Sequence, residues 1–306
     1  MENQKVISLI VPIYNRLEVT KKGLQYIAAS IAHYHKVTAT ENGFLANIVI
    51  VDDGSTDGSA DWIEANYPDV TVIRSKGDLW WTGAVNVGID HCIKEWLNLE
   101  AIVLQNDDVI VDEDWFLNLV TAAKENPNSL IGCATSTMAD KNKVTYGGRQ
   151  LHPWFATEQL LNIGLSKQSF PKGHVVPSFD LYGRGLYIPA TVFQKIGLFN
   201  QEQFKHRGDM DIPLRAKKAG FKLLVSYDAI VYEFPEHAFG LDSQKKISWK
   251  EAYKAMTDFR SSNNVKFVYY YSQIATTNPL QFSVFFASNL FYNMRRICWR
   301  LVNQYT

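Results

Sequence analysis

The first hundred residues alternate between short apolar runs and longer stretches in which apolar side chains recur at helical spacing. The apolar runs predict four strands, at Val6–Val11, Asn47–Val51, Val70–Ile73 and Ala101–Leu104. The stretches between them predict helices from Leu17 to Ile31, at Asp61–Asn66, and after Thr82, which is placed to cap its helix. Strands that alternate with helices indicate a parallel sheet covered on both faces.

The pattern changes in the second half of the chain. Residues 137–179 have weak periodicity and many Gly, Pro and polar residues, which predicts loops and a hairpin around Gly147–Gly148. Regular structure returns with a predicted strand at Gly183–Ile188, a short helix at Pro189–Ile196, a helix capped by Asp211 and ending at Gly220, and a strand at Phe221–Val225. The remainder has helical spacing. We therefore predict a domain at 1–240 and a helical extension at 241–306.

Polar clusters follow three of the predicted strands. They are Tyr14–Asn15–Arg16, Asp52–Asp53–Gly54 and Asp107–Asp108. Ligands of open parallel sheets bind outside the carboxyl ends of the strands, so these clusters predict a site at one sheet edge. Any single cluster is equally well explained as a turn, but turn formation does not account for paired carboxylates recurring at the same edge.

Composition narrows the classes of function. The chain has 306 residues, 46% of them hydrophobic, with 31 basic and 31 acidic side chains. This apolar fraction excludes a disordered chain, and the absence of excess positive charge argues against a nucleic-acid binder. The cysteines Cys92, Cys133 and Cys298 lack the spacing of a metal site or a disulfide framework, which favours a reducing compartment. With no signal peptide or membrane span predicted, we expect a cytoplasmic protein, for which the inner face of the cytoplasmic membrane is a second candidate location.

The acidic clusters suggest specific chemistry. Adjacent carboxylates such as Asp107–Asp108 repel each other unless a cation or donors neutralise them, and oxygen ligands suit Mg²⁺ or Mn²⁺. A solvated turn is the alternative. The turn at 51–59 lacks the Gly-Lys-Ser/Thr phosphate signature, so its acids are better suited to a ribose or base. Asp209 is free to act as a general base if it faces the cleft.

Taken in order, several motifs resemble those of family-2 inverting glycosyltransferases, which have the nucleotide-diphospho-sugar transferase fold called GT-A. The matching segments are VPIYNR (11–16), VDDGSTDGS (51–59), GDLWWTGAVNVGI (77–89), LQNDDV (104–109) and HRGDMDIPLRAKKAG (206–220). The WWTG segment and Tyr146–Gly147–Gly148–Arg149 further resemble rhamnosyltransferase-like members. The resemblance implies an α/β fold with a mixed, mostly parallel sheet flanked by helices. It assigns the nucleotide to residues 1–110 and the acceptor to residues 111–240.

The resemblance also implies roles for individual residues. The positions that match the base and ribose pocket are Pro12, Tyr14, Asp52 and Asp53. Those that match the segment beside the nucleotide and donor sugar are Trp81, Gly83 and Asn86. Asp107 and Asp108 occupy the D-x-D position, here Asn-Asp-Asp, with Asp108 as metal ligand and Asp107 holding the sugar or ribose. Asp209 matches the base that takes the acceptor proton, and Asp211 a further acid near the acceptor.

Two positions depart from the family pattern. The glutamate that usually precedes the base is Gly208 here, which puts the support of Asp209 in doubt. The histidine that often follows the next strand, sometimes as a metal ligand, is Glu233, and His237 lies nearby. For each of these two side chains, we favour an ordinary loop position over a role as metal ligand.

The implied activity is transfer of one sugar from a nucleotide-diphospho-sugar to a glycan or lipid-linked acceptor in cell-surface polysaccharide synthesis. A non-processive enzyme is expected because no Q-x-x-R-W sequence occurs near the C-terminus. Two alternatives remain: a sugar-nucleotide pyrophosphorylase, which would normally carry a basic Gly-rich loop after the first strand, and a catalytically impaired binding relative.

Aromatic residues mark two further regions. Trp154, Phe155 and Tyr182 are candidates for stacking on acceptor sugars, although core packing is the commoner fate of such side chains. The segment 279–306 combines aromatic residues with Arg295, Arg296 and Arg300. It suits an anionic membrane surface, but its polar interruptions favour packing on the catalytic domain or, in a homodimer, on a second subunit.

Overall fold

The structure is a computed structural model, and it describes residues 4–38, 43–233 and 246–302. The strands are β1 (Val6–Ile13), β2 (Leu45–Asp52), β3 (Thr71–Arg74), β4 (Leu99–Leu104), β5 (Val109–Val111), β6 (Ser129–Thr137), β7 (Arg149–Leu151), β8 (Glu158–Leu160), β9 (Val175–Pro177), β10 (Leu186–Pro189) and β11 (Lys222–Glu233). The α-helices are α1 (Leu17–Thr38), α2 (Ser59–Asn66), α3 (Trp80–Glu95), α4 (Trp115–Glu125), α5 (Ala190–Ile196), α6 (Asp211–Lys218), α7 (Trp249–Thr257), α8 (Val265–Ala275) and α9 (Pro279–Val302).

One mixed sheet organises the described part of the chain, in the order β3-β2-β1-β4-β10-β6-β11-β5, with β9 paired to β11. The first four strands are parallel, because helices connect them on the sheet faces. β10 then runs antiparallel between β4 and β6, and β6 is parallel to β11. The predicted mixed sheet flanked by helices is confirmed, and so is the helical C-terminal region.

Two apolar layers cover the sheet. One face packs against α1 and α4, around Ile27, Phe116 and Leu119. The other packs against α3, α5 and α6, around Val85 and Ile212. The β4 residues alternate between the layers, as the twofold side-chain period of a strand requires. The carboxyl ends of β1, β2 and β4 therefore lie side by side at one edge, above a rigid core.

Three local predictions were wrong. Thr82 does not cap α3, which begins at Trp80, and its side chain is buried within the helix. Asp211 is the first residue of α6 and not its cap, because its carboxylate instead accepts from the Asn200 N–H and from Arg215. The hairpin is formed by β7 and β8, so the chain reverses at residues 152–157 and not at Gly147–Gly148.

The C-terminal helices pack on the rest of the protein through a third apolar cluster. Phe285 of α9 and Tyr271 of α8 are buried there with Phe204 from the loop before α6. The Gln281 amide also donates to the Pro153 carbonyl, 2.9 Å away. This face of α9 therefore packs on the protein itself, as the polar interruptions of the segment led us to expect. No helix among the described residues is long and apolar enough to cross a membrane. The proposed domain boundary at 240/241 lies in a stretch outside those residues.

Candidate active site

The predicted polar clusters meet at the carboxyl ends of β1, β2 and β4. Arg16 bonds to Asp107 and, at 3.0 Å, to Asp108, although the pairs are more than 90 positions apart in sequence. The Thr20 hydroxyl donates to the other oxygen of Asp107 at 2.9 Å. Burial raises the pKa of Asp107 to about 6, against the opposing attraction of the Arg16 guanidinium. Asp107 thus lies beneath the surface of the edge, and the partly exposed Asp108 lies on it.

The turn after β2 is held by its own acidic side chains. Asp52 accepts from the Ser55 N–H at 2.9 Å. Asp53 accepts from the Leu79 and Trp80 N–H groups, at 3.0 and 2.9 Å, at the start of α3. Trp80 has a φ of 57°, which is unusual for a bulky residue. The Asp53 carboxylate therefore stabilises a strained backbone that leads directly into the WWTG segment.

A cavity of about 420 Å³ opens beside this edge. It is lined by Trp81, Asn106, Asp108, Val109, Tyr182, Gly183, Arg184, His206, Arg207, Asp209, Met210 and Glu233. Asp108 and Asp209 face the same space although they are about a hundred residues apart in sequence. The Trp81 indole donates to the Asn106 side-chain oxygen at 3.3 Å, which joins α3 to the end of β4.

Asp209 lies in a short 3-10 turn, Gly208–Met210, directly before α6. Burial raises the pKa of the Asp209 carboxyl, while the Gly183 N–H, 3.4 Å away, and the charge of Arg184 oppose that rise. A Cβ on Gly183 would lie 2.5 Å from the Trp81 ring and 3.3 Å from the Asp209 Cβ. Glycine at 183 is therefore needed for Trp81 and Asp209 to approach each other. A carboxylate with a raised pKa in a cleft is suited to take up a proton.

Gly208, where the family usually has glutamate, is tightly enclosed. A Cβ at this position would lie 2.3 Å from the hydroxyl oxygen of Thr82 and 3.3 Å from Phe204. Thr82 is fully buried in α3, and its hydroxyl has no hydrogen-bond partner among the described residues. Thr82 therefore occupies the space that a side chain at position 208 would need, and glycine at 208 fits this packing.

Glu233 reaches the same cavity from the end of β11, where it forms an ion pair with Arg184. No group of three or more His, Cys, Asp or Glu residues suited to holding a metal occurs among the described residues. Asp108, Glu233 and the Asn106 amide nevertheless offer hard oxygen donors around one space. Mg²⁺ is commonly held by one or two carboxylates together with substrate phosphates, and these residues fit a site of that kind. His237 lies outside the described residues.

Two residues of the predicted donor segment contact the protein itself. The Asn86 amide forms two hydrogen bonds with the backbone of Phe199, at 2.9 and 3.0 Å. Gly83 has no side chain, and a Cβ added there would lie 2.5 Å from the Gln201 amide nitrogen. Both positions thus hold the 199–201 loop against α3. Pro12 lies within β1, and Tyr14 is exposed just beyond its end.

A second cavity, of about 1060 Å³, lies between the β7–β8 hairpin and helices α8 and α9. Tyr182, Arg207 and Met210 line both cavities, so the two spaces adjoin next to Asp209. Of the residues predicted at the acceptor, Tyr182 lines both cavities, and its role stays a prediction. Trp154 lines neither cavity, and Asp211 is buried in contact with Arg215.

The sequence assigned no individual role to Arg184 and His206, which line the smaller cavity, or to Arg16, which pairs with the lining residue Asp108. Arg16 belongs to the polar cluster that follows β1, and this position after a strand is the one feature of the sequence that indicates a role for it. Arg184 and His206 carried no comparable pattern. Burial and the charge of Arg207 lower the pKa of His206, so its imidazole favours the neutral form beside Asp209.

Comparison with known proteins agrees with this architecture. The model of the family described as Glycosyl transferase family 2 matches residues 8–184. A hexosyltransferase of low-salt glycan biosynthesis from Haloferax volcanii is 22% identical over 215 residues, which covers 68% of this chain and 67% of that protein.

Two solved structures share the fold at low identity. A mannosyltransferase from Pyrobaculum calidifontis, in complex with GDP-Man and Mn²⁺, superposes with a TM-score of 0.57 and 15% identity over 96% of this chain and 71% of its own. GalNAc-T7 with UDP, GalNAc and Mn²⁺ gives a TM-score of 0.58 and 13% identity, over 98% of this chain. This chain spans 56% of the GalNAc-T7 chain.

Proposed function

The chain belongs to glycosyl transferase family 2, and we propose that it transfers one sugar, with inversion, from a nucleotide-diphospho-sugar to a hydroxyl of a glycan or lipid-linked acceptor. The expected role is in cell-surface polysaccharide synthesis. The observation that carries the proposal is that Asp108 and Asp209 line one cavity at the carboxyl end of β4. A nucleotide-sugar between them would have its diphosphate near Asp108 and its anomeric carbon toward Asp209.

The proposed reaction is a single displacement. Asp209 accepts the proton of the acceptor hydroxyl, and the oxygen attacks the anomeric carbon from the face opposite the nucleotide. The bond between that carbon and the diphosphate oxygen breaks, and its electron pair leaves with the nucleotide diphosphate. Because only one displacement occurs, the configuration inverts and no covalent enzyme intermediate is needed. The raised pKa of Asp209 favours proton uptake.

Charge on the leaving diphosphate needs compensation. Asp108, with the Asn106 and Glu233 oxygens nearby, would hold Mg²⁺ or Mn²⁺, and such an ion supplies positive charge to the departing phosphates when bound. The solved relatives with Mn²⁺ support this proposal. Arg184 and Arg207 bring further positive charge to the same cavity. Most of the acceleration would come from positioning and from this electrostatic arrangement.

The test is Asp209→Asn, which keeps the size of the side chain and removes the base. We expect turnover to fall by about 10²-fold or more, while the affinity for nucleotide with Mn²⁺ is kept. A panel of nucleotide-diphospho-sugars would be assayed for transfer and for sugar release, and calorimetry would measure nucleotide binding. Asp90→Asn, an exposed carboxylate on α3 that pairs with Lys94, is the control and should keep full turnover.

Two results would contradict the proposal. Unchanged turnover in Asp209→Asn would remove that carboxylate from the role of base. Nucleotide binding by the wild-type protein without transfer or sugar release from any donor of the panel would instead favour a non-catalytic binding relative.

A further inference from the structure

The larger cavity has an uneven charge. Among the described residues, four arginines and one carboxylate line this cavity: Arg149, Arg207, Arg295, Arg296 and Glu158. Arg149 is compensated, because it forms ion pairs with Glu158 and with the buried Asp180. The positive charge that remains is concentrated on the α9 side of the cavity, among the residues that the structure describes.

Arg295 and Arg296 are oriented by uncharged partners. Arg296 donates to the side-chain oxygens of Asn263 and Asn293, at 3.1 and 2.9 Å. The Arg295 guanidinium lies 5.8 Å from the centre of the Tyr292 ring. Neither arginine has an ion pair with a carboxylate in the described part of the chain. Two guanidinium groups are thus held in place with donors left over, which is the arrangement that binds phosphate or carboxylate.

The polar residues of α9 explain why its apolar face looked interrupted in the sequence. Asn289, Tyr292, Asn293, Arg296 and Trp299 recur at spacings of three and four, so they share one face of the helix. All five line the cavity. Phe285, four positions before Asn289, continues this face toward the start of α9, and both it and Ile297 are buried against the rest of the protein. One face of α9 is therefore a cavity wall that combines rings for stacking with cations.

We infer that this cavity binds the acceptor and selects one that carries an anionic group, a phosphate or a carboxylate, close to the sugar that receives the new bond. This inference rests on the proposed function, because it places the acceptor beside Asp209 through the residues Tyr182, Arg207 and Met210 that line both cavities. A volume of about 1060 Å³ lies at the upper end of the usual range for ligand sites, which allows for more than one sugar ring.

The test measures binding of three small probes by calorimetry at matched ionic strength. Glucose 1-phosphate carries a phosphate, glucuronate carries a carboxylate, and methyl glucoside carries no charge. We expect at least one charged probe to bind about 10-fold or more tightly than methyl glucoside, because hydrogen bonds to charged groups are the stronger ones. The better charged probe identifies the group, and so separates a phosphate-linked acceptor from an acidic sugar.

Substitutions locate the binding. Arg295→Gln combined with Arg296→Gln should weaken the better charged probe by about 10-fold or more and leave methyl glucoside unchanged. Lys250→Gln combined with Lys254→Gln removes the same charge from exposed positions of α7, outside the cavity, and should change neither affinity. Equal binding of charged and neutral probes, an unaffected arginine variant, or an equal loss in the lysine control would each overturn the inference.

The same protein sample separates this inference from the proposed function. Titration of the wild-type protein with nucleotides and Mn²⁺, followed by assays of sugar release, tests the smaller cavity without any acceptor. Nucleotide binding and sugar release together with equal binding of the three probes would refute the anionic acceptor alone. Charged-probe binding that depends on Arg295 and Arg296, in a protein that binds no nucleotide, would refute the glycosyltransferase site alone.

Discussion

An arginine–aspartate pair lies beside each cavity, and the two pairs differ in how far water reaches them. Next to the smaller cavity, the Asp107 side chain is 1% exposed but its partner Arg16 is 40% exposed. Next to the larger cavity, Asp180 is 0% exposed and Arg149 is 11% exposed. Arg16 keeps more of its hydration than Arg149 does, so its guanidinium can change partners at a lower cost.

The hydrogen-bond partners of Arg16 and Arg149 differ as well. Arg16 is shared between Asp107 and Asp108, of which Asp108 faces the proposed metal and diphosphate. Arg149 joins separate segments instead. It bonds to Asp180, to Glu158 of β8, and to the Tyr271 hydroxyl of α8 at 3.2 Å. The comparison indicates that the first pair can adjust its contacts, and that the second fastens α8 to the β7–β8 hairpin and to Asp180.

The largest effect is expected from Arg149→Met. This change leaves Asp180 buried without its counter-ion, and breaking a buried pair in this way costs about 3–5 kcal/mol. Arg16→Met should cost only about 1–2 kcal/mol, because water can approach from the exposed side and Asp107 can take up a proton. The free energy of unfolding in urea measures both.

A second substitution checks the cause of the loss at Arg149. Adding Asp180→Asn to Arg149→Met removes the stranded charge, so much of the lost stability should return. Equal losses for Arg16→Met and Arg149→Met would show that the two pairs are not different in kind. No recovery in the double variant would mean that packing of the Arg149 side chain matters more than its charge.

The next effect is a pH dependence at Asp107. In the folded protein burial raises the pKa of Asp107 to about 6, above its unfolded value of 3.8, so folding favours the protonated carboxyl. The stabilising contribution is complete below the unfolded pKa and is lost as the pH rises through about 6. Relative to Asp107→Asn, the wild-type protein should therefore lose about 1–3 kcal/mol between pH 4 and pH 7.

Urea unfolding with a chelator present would measure this difference, since a bound cation would change the charge near Asp107. Asp90→Asn, which alters an exposed pair, should show a difference from wild type that is nearly constant with pH. A constant difference for Asp107→Asn as well, or a wild-type protein that gains stability relative to this variant as the pH rises, would show that Asp107 is ionised throughout and that burial is not its dominant influence.

The sequence predicted the first pair better than the second for a physical reason. In a parallel sheet the carboxyl ends of neighbouring strands share an edge, so polar clusters after β1, β2 and β4 had to meet. The alternation of apolar residues then fixed which side chains were buried. Arg16 contacts Asp107 and Asp108 as a consequence of topology, even though no specific role had been predicted for it.

The Arg149–Asp180 pair depends on tertiary contacts that the periodicity of apolar residues does not predict. Arg149 and Asp180 lie in short strands and loops, where the hydrophobic pattern is weak, and their partner Tyr271 is more than 100 positions from Arg149. The match between Gly208 and Thr82 is hidden for the same reason, because only the packed structure shows that a Cβ at 208 would meet that hydroxyl. The predictions that Thr82 and Asp211 cap helices were wrong because tertiary contacts outweighed the local preference of these residues for the cap position.

The smallest effect is expected from Arg16→Gln on binding of Mn²⁺ alone. Arg16 competes with a cation for Asp108, and its removal should raise the affinity for Mn²⁺ by about two- to five-fold, the range of an exposed ion pair. Electron paramagnetic resonance of free Mn²⁺ would measure the affinity without nucleotide. Arg74→Gln, which removes an exposed arginine paired with Asp61 and Glu64, should leave it unchanged. Weaker Mn²⁺ binding in Arg16→Gln would mean that Arg16 holds Asp108 in place for the cation, and the first pair would then be as fixed a part of the protein as the second.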